Sequence, residues 1–280
     1  MDGNGRWANE RGMHRSEGHR AGVDNVRRTT TSFAGHGVKY LTLFAFSTEN
    51  WERPDDEVGF LISLMGEAVH QETQPLHAQG VRIRHIGRLD RLPDGLQDSI
   101  RESMELTKHN NGITLNLAYD YGGRAEIIDA VRAMVADGLR PDDITEDVLQ
   151  RHLYTAGMPD PDLIIRTAGE MRISNFLIWQ AAYAEYYATD VHWPDFDEQE
   201  MERALEVARW RRCAELLARQ RLALAIACSP PVWGIVIVSR PTLYLQHDGC
   251  TLPARVSVRV VDRSKASRPS QTTLLTTGEC

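Results

Sequence analysis

Cysteine is scarce in this 280-residue chain: there are four, Cys213, Cys228, Cys250 and Cys280, all in the last quarter. Their spacings are too wide for a zinc knuckle or a redox pair, so they read as free thiols of a reducing compartment. Long apolar runs are also missing. Nothing reaches the roughly 18 residues needed to span a bilayer, and the polar start does not resemble a signal peptide. A cytoplasmic protein is expected. No basic excess exists either: the net charge of -7 argues against nucleic acid as a partner, so any role for the arginines is as local clusters. With 42% hydrophobic and 25% charged residues the chain is of ordinary globular composition and can bury a sizeable core.

Two segments carry chemistry. The first is Met1-Asp2-Gly3-Asn4-Gly5-Arg6-Trp7; the second runs from Arg166 through Glu170, Arg172, Ile173, Ser174 and Asn175 to Trp179. Together they supply carboxylate, guanidinium, hydroxyl and glycine. Glycines let a backbone approach phosphate oxygens, arginines make forked charge-assisted bonds to them, and a carboxylate can hold a bridging divalent cation. Diphosphate chemistry follows. Gly3 and Gly5 are not a dinucleotide fingerprint, because the third glycine is misplaced.

The remaining pattern alternates helix and strand. Apolar spacing predicts a helix over 18–35, a buried strand over 40–46 and a long helix over 56–78 whose stripe faces a core or lines a greasy tunnel. Then come a strand over 81–86, a helix over 93–109, a strand over 113–119 and a helix over 123–137. Thr145 reads as a helix N-cap, 162–166 as a strand and 197–219 as a last helix. This rhythm predicts an α/β fold with a mainly parallel central sheet flanked by helices. The polar stretch after the 40–46 strand, Ser47-Thr48-Glu49-Asn50-Trp51-Glu52-Arg53, and the stretch opened by Arg166 both sit at strand carboxyl ends, where open α/β sheets bind ligands. Arg15, His19 and Arg20 form a further anion-binding region.

Residues 1–220 form the expected catalytic domain, at -11; residues 221–280, at +4 and rich in Pro, Ser and Thr, form an atypical tail that is disordered or out of frame, although 232–239 and 255–261 have strand character.

In order along the chain, Asp2–Ala8, Gly18–Gly22, Phe46–Trp51 with Arg53-Pro54, Asn116–Arg124, Arg166–Gln180 and Trp193–Phe196 resemble the cis-prenyltransferases, and most closely the bacterial undecaprenyl diphosphate synthases. The resemblance covers residue 1 to about residue 209. It implies a homodimeric, Mg²⁺-dependent transferase that extends an allylic diphosphate such as farnesyl diphosphate with isopentenyl diphosphate, making a cis-polyprenyl lipid carrier for cell-wall synthesis. Membrane contact would be peripheral, through the product. By position it assigns Asp2 and Asn50 as catalytic, and Ser47 with Asn50 to proton handling; an amide does not ionise near neutral pH, so Asn50 is expected to position or relay. Gly3, Asn4, Gly5, Arg6, Trp7, Arg15 and His19 would surround the allylic diphosphate. Ser47, Thr48, Glu49, Trp51 and Arg53 would line the substrate, and Arg166, Arg172, Ile173 and Ser174 would hold isopentenyl diphosphate. Asp2 and Glu185 would hold the metal.

Two departures stand out. The family carries a first strand ending at the catalytic aspartate, which here is the second residue, so that strand is truncated, Asp2 is expected to be frayed and turnover is expected to be weak. The family's arginine-rich stretch with a following Phe-Gly is only partly kept at Ala208–Cys213. The rival reading is a non-catalytic subunit or inactive member of the same fold.

Overall fold

The computed structural model describes residues 1–209 in full and, beyond them, only the backbone of four short strands, Val236–Val238, Gln246–His247, Cys250–Thr251 and Val258–Val260. In chain order the elements are α1 (Asn4–Glu10), α2 (Arg15–Gly35), β1 (Tyr40–Ser47), α3 (Asp55–Ala78), β2 (Arg82–Ile86), α4 (Asp94–Thr107), β3 (Thr114–Tyr121), α5 (Gly123–Ala136), α6 (Glu146–His152), β4 (Leu163–Arg166) and β5 (Glu185–Ala188). A further helix, α7, starts at 198 and is described to 209. Chain contacts divide the protein into Met1–Leu216 and Leu217–Cys280. In the second unit Val236–Val238 pairs antiparallel with Val258–Val260, and Gln246–His247 with Cys250–Thr251. The rest of the expected tail, and the end of the expected 197–219 helix, lie outside the described residues.

Strand β3 is central because both its faces are apolar. Leu115 and Tyr119 pack on one side, Ala118 and Tyr121 on the other, all nearly inaccessible. β1 and β2 flank it in parallel, with Tyr40 and Arg82 both opposite Thr114. One face packs on α2, α3 and α4 through Phe33, Leu76, Met65 and Ile100; the other meets Met158 and Leu177. β4 and β5 form a second parallel pair, so the described strands make two parallel sheets where the sequence led us to expect one. The core that contains Leu43 and Leu115 also takes in Met1, Leu41 and Ile165, which links both sheets through side chains.

Two elements escape the periodicity. Helix α1 has only seven residues and an N-cap, Gly3, at φ 101 with no side-chain cap bond. Its glycine and asparagine are poor helix formers, so docking holds it rather than propensity. Gly18 and Gly22 of α2 make that docking possible, since a Cβ on either would collide with the backbone or side chain of Asn4. The second element is β5, which opens at Glu185 and which the apolar spacing did not predict. Elsewhere the expected elements are present with ends shifted by at most three residues, and Thr145 caps α6 by accepting from the Val148 N–H at 3.3 Å.

Candidate active site

Asp2 is fixed before its carboxylate does anything. Its N–H donates to Thr167 Oγ1 at 3.0 Å, and its carbonyl accepts from Thr167 Oγ1 at 2.9 Å and from the Trp193 N–H at 3.0 Å. The frayed start expected from sequence is therefore absent: β4 and the loop after β5 hold this residue. Arg166 leaves the carboxyl end of β4 and donates from Nε to Asp2 Oδ2 at 2.8 Å. Its Nη1 donates to Ser174 Oγ at 2.8 Å and to the Arg172 carbonyl. One forked guanidinium thus joins both chemistry-bearing segments across 164 residues of sequence.

Glu170 adds a second link, accepting from Arg6 Nη2 at 3.0 Å and pairing with Arg172. Beyond it the chain turns sharply. Ile173 is half-buried and closes a turn on the Phe176 N–H, while Ser174 and Asn175 hold positive φ values of 50 and 60. Non-glycine residues in that region cost energy, and such strain gathers at functional sites. Asn175 then donates to Glu49 Oε1 at 2.8 Å, which ties this segment to the turn after β1. Within that turn Asn50 Oδ1 accepts from the Ser47 N–H at 2.9 Å, and Thr48 Oγ1 donates to Glu49 at 3.2 Å. Burial works to raise the Glu49 pKa, but hydrogen bonds led by the one from Asn175 hold it below its ordinary value.

Arg15 and Arg53 converge on Glu57, at 3.5 and 2.7 Å. A Cβ on Gly5 would lie 3.1 Å from Arg15 Nε, so the bare glycine backbone lets that arginine close over the opening segment. His19 packs edge-on to Phe60 with ring centres 6.3 Å apart. Burial lowers its pKa first, then the Arg53 and Arg15 charges lower it further, which favours a neutral imidazole. Trp51 donates to Asp120 Oδ1 at 2.7 Å. Two residues stand apart. Trp7 directs its indole N–H to Asp195 at 2.7 Å under the Arg11 guanidinium. Glu185 pairs with Leu163, three rungs from the Arg166–Ala188 end of the ladder, roughly 10 Å along the strand.

From Asn4 and His19 an apolar cavity of about 110 Å³ runs between α2, α3 and the sheet, lined by Val23, Val26, Ala45, Phe46, Leu64, Ala68, Val69, Leu115 and Leu117 among others. Met1, Asn4 and His19 line it on the side of the opening segment, and most of its other walls are apolar side chains. Among the described residues no three His, Cys, Asp or Glu side chains gather into a metal cage. Mg²⁺ needs none, since it takes one or two carboxylates and fills its octahedron with water and phosphate oxygens. The Asp2 carboxylate, 42% exposed beside the Arg166 guanidinium, fits that donor set. Sequence reasoning gave no individual role to Thr167, Glu170 and Asn175, although they lie in the Arg166–Trp179 segment, and did not single out Glu57. Glu170 alone carried a signal, as the lone acid between Arg166 and Arg172.

Residues 1–213 match the protein family described as "Putative undecaprenyl diphosphate synthase". Among curated relatives, the isoprenyl transferase of Clostridium perfringens is 49% identical over 209 residues, spanning 73% of this chain and 83% of that protein. That of Streptococcus thermophilus is 50% identical over 213 residues, spanning 73% and 86%. Among solved structures, lavandulyl diphosphate synthase from Lavandula x intermedia in complex with dimethylallyl diphosphate superposes with TM-score 0.72 at 39% identity, covering 75% of this chain and 92% of that one. A probable undecaprenyl diphosphate synthase from Campylobacter jejuni gives TM-score 0.62 at 34% identity, covering 68% and 89%.

Proposed function

The chain belongs to the undecaprenyl diphosphate synthase family of isoprenyl transferases, and from that premise we propose that it condenses isopentenyl diphosphate with an allylic diphosphate such as farnesyl diphosphate to make a cis-polyprenyl diphosphate. Dimethylallyl diphosphate in the lavender relative supports an allylic substrate. The observation that carries the reading is the Asp2–Arg166–Ser174 network, whose Asp2 lies in sequence between Met1 and Asn4, two residues that line an apolar cavity. A diphosphate head and a hydrocarbon tail ask for that pairing.

In the reaction the allylic carbon–oxygen bond breaks, a carbon–carbon bond forms to isopentenyl diphosphate, and the resulting cation loses a proton. Charge grows on the departing diphosphate, so donors already aimed at it lower the barrier. Arg6 and Arg15 serve the allylic head, and Arg166, Arg172 and Ser174 the isopentenyl head. Substrate phosphates would displace Glu170 and Glu57 from these arginines. Bound Mg²⁺, held by Asp2, would neutralise diphosphate oxygens. Glu185 would join it only by reaching from the far end of the β4–β5 ladder. Asn50, its carbonyl oxygen engaged by the Ser47 N–H, orients rather than takes the proton; released diphosphate is the better acceptor.

Among the described residues no helix is long and apolar enough to cross a membrane. We place the enzyme in the cytoplasm, touching membrane through its product, a lipid carrier for cell-wall synthesis. The likeness also implies a homodimer; α5 exposes Ile128, Val131 and Val135 at helical spacing as an apolar face for it. Incubation with isopentenyl and farnesyl diphosphates and Mg²⁺, followed by chromatographic sizing, tests the activity. Products longer than farnesyl are expected. Substrate binding without elongation would reassign the chain as a non-catalytic member of the fold.

A further inference from the structure

Asp120 has no part in the chemistry above, yet its setting is unusual. It is the last residue but one of β3 and has φ 47, in the left-handed region that few non-glycine residues enter. Its side chain has no solvent exposure. Oδ1 accepts from the Trp51 indole N–H at 2.7 Å and faces Arg91 Nη1 at 3.4 Å, while Oδ2 is buried with no hydrogen-bond partner. The Arg91 guanidinium in turn lies 5.0 Å from the centre of the Trp51 ring, and Phe46 meets that ring edge-on at 5.2 Å. Phe46 lines the apolar cavity. Gly87 makes room, since a Cβ there would strike the Tyr119 carbonyl and come within 3.0 Å of the Asp120 carbonyl.

A buried carboxylate with one oxygen unsatisfied is a cost to the fold. Two groups gain from it: Trp51 has its N–H fixed, and Arg91 is kept over the ring face. Trp51 follows Asn50 directly in the turn after β1, so whatever fixes the indole also fixes that turn. We propose that Asp120 is a positioning residue for prenyl transfer, which, with Arg91, holds Trp51 in the pose that shapes the substrate side of the Ser47–Arg53 turn.

This rests on the reading of Trp51 as substrate-facing, and the test separates the two. Asp120→Gly removes the carboxylate while accepting the left-handed backbone, Asp120→Asn keeps an acceptor for the indole in a conformation asparagine tolerates, and Trp51→Phe removes the partner. Steady-state kinetics with farnesyl and isopentenyl diphosphates, on these variants and the Asp120→Gly/Trp51→Phe pair, should show kcat/KM down by about tenfold or more in Asp120→Gly and within about threefold of wild type in Asp120→Asn. With Trp51→Phe already present, Asp120→Gly should cost little more. Equal losses from Asp120→Gly in both backgrounds would overturn the positioning role while leaving Trp51 at the substrate. A Trp51→Phe enzyme with unchanged kinetics would remove Trp51 from the site and the inference with it. Should Asp120→Gly not fold, Asp120→Asn decides: near-wild-type kinetics support the role and a tenfold fall overturns it.

Discussion

Arg166 shows what a single side chain organises here. Nε reaches Asp2 while Nη1 reaches Ser174 and the Arg172 carbonyl, a division of labour that one planar fork allows and a lysine ammonium does not. Arg166→Lys keeps the charge and loses the geometry, so kcat/KM should fall on the order of a hundredfold with the fold intact; kinetics within a few-fold of wild type would show that charge alone suffices. His85 gives a prediction in pH. Burial brings its pKa down to about 4 despite the bond to the Tyr119 carbonyl. Since its unfolded value is near 6.5, the unfolded chain binds the extra proton between pH 6.5 and 4, and stability falls as pH drops through that window. Urea midpoints should decline across it, and His85→Gln should decline less; parallel declines would exclude His85 as a cause. At this scale the sequence was legible where charge and glycine occur in unusual combinations, as at Asp2, Arg6 and Arg166. It was opaque for Asp120 and Asn175, whose importance comes from left-handed backbone and from partners 69 and 126 residues away.

Elements place those side chains, and the α1–α2 contact is the most sensitive of them. Gly18→Ala should force α1 off α2 through the Asn4 carbonyl, shift Asp2 and lower both stability and activity. Gly66→Ala, in mid-α3 with open space around it, should instead stabilise by roughly 0.5–1 kcal/mol and leave turnover alone. Thermal unfolding and kinetics of the pair check this; a harmless Gly18→Ala would mean α1 is not clamped as described. Strands and helices with a full period were readable from apolar spacing, to within a few residues at their ends. Helix α1 and strand β5 were not: α1 has no side-chain N-cap and β5 alternates half-buried and exposed residues, so neither shows the cap or the apolar run that revealed α6 and β4 at the same lengths.

For the whole molecule the cavity sets the limit. Its volume is about 110 Å³, and Val69 of α3 is among its walls. It lies between α2 and α3, which are joined by the Arg20–Glu67 and Arg27–Glu72 ion pairs. Val69→Phe, filling the cavity from α3, should shorten the longest product, as read by chromatography; unchanged lengths would place the growing chain elsewhere. The parallel α/β layout was foreseeable from the alternation of strands and helices, but division of the parallel strands into two sheets was not, since pairing between distant strands leaves no local pattern.

The convergence of the opening heptapeptide and the Arg166 segment into one diphosphate pocket is tested most directly by calorimetric titration of inorganic diphosphate with Mg²⁺ into wild type, Asp2→Ala, Arg166→Ala and the double variant. Each single change should weaken binding by about tenfold or more, and the double change should cost clearly less than the product of the two, because the residues act as one unit. Undiminished binding in either single variant, or strictly independent losses, would mean that the two segments do not form a common site.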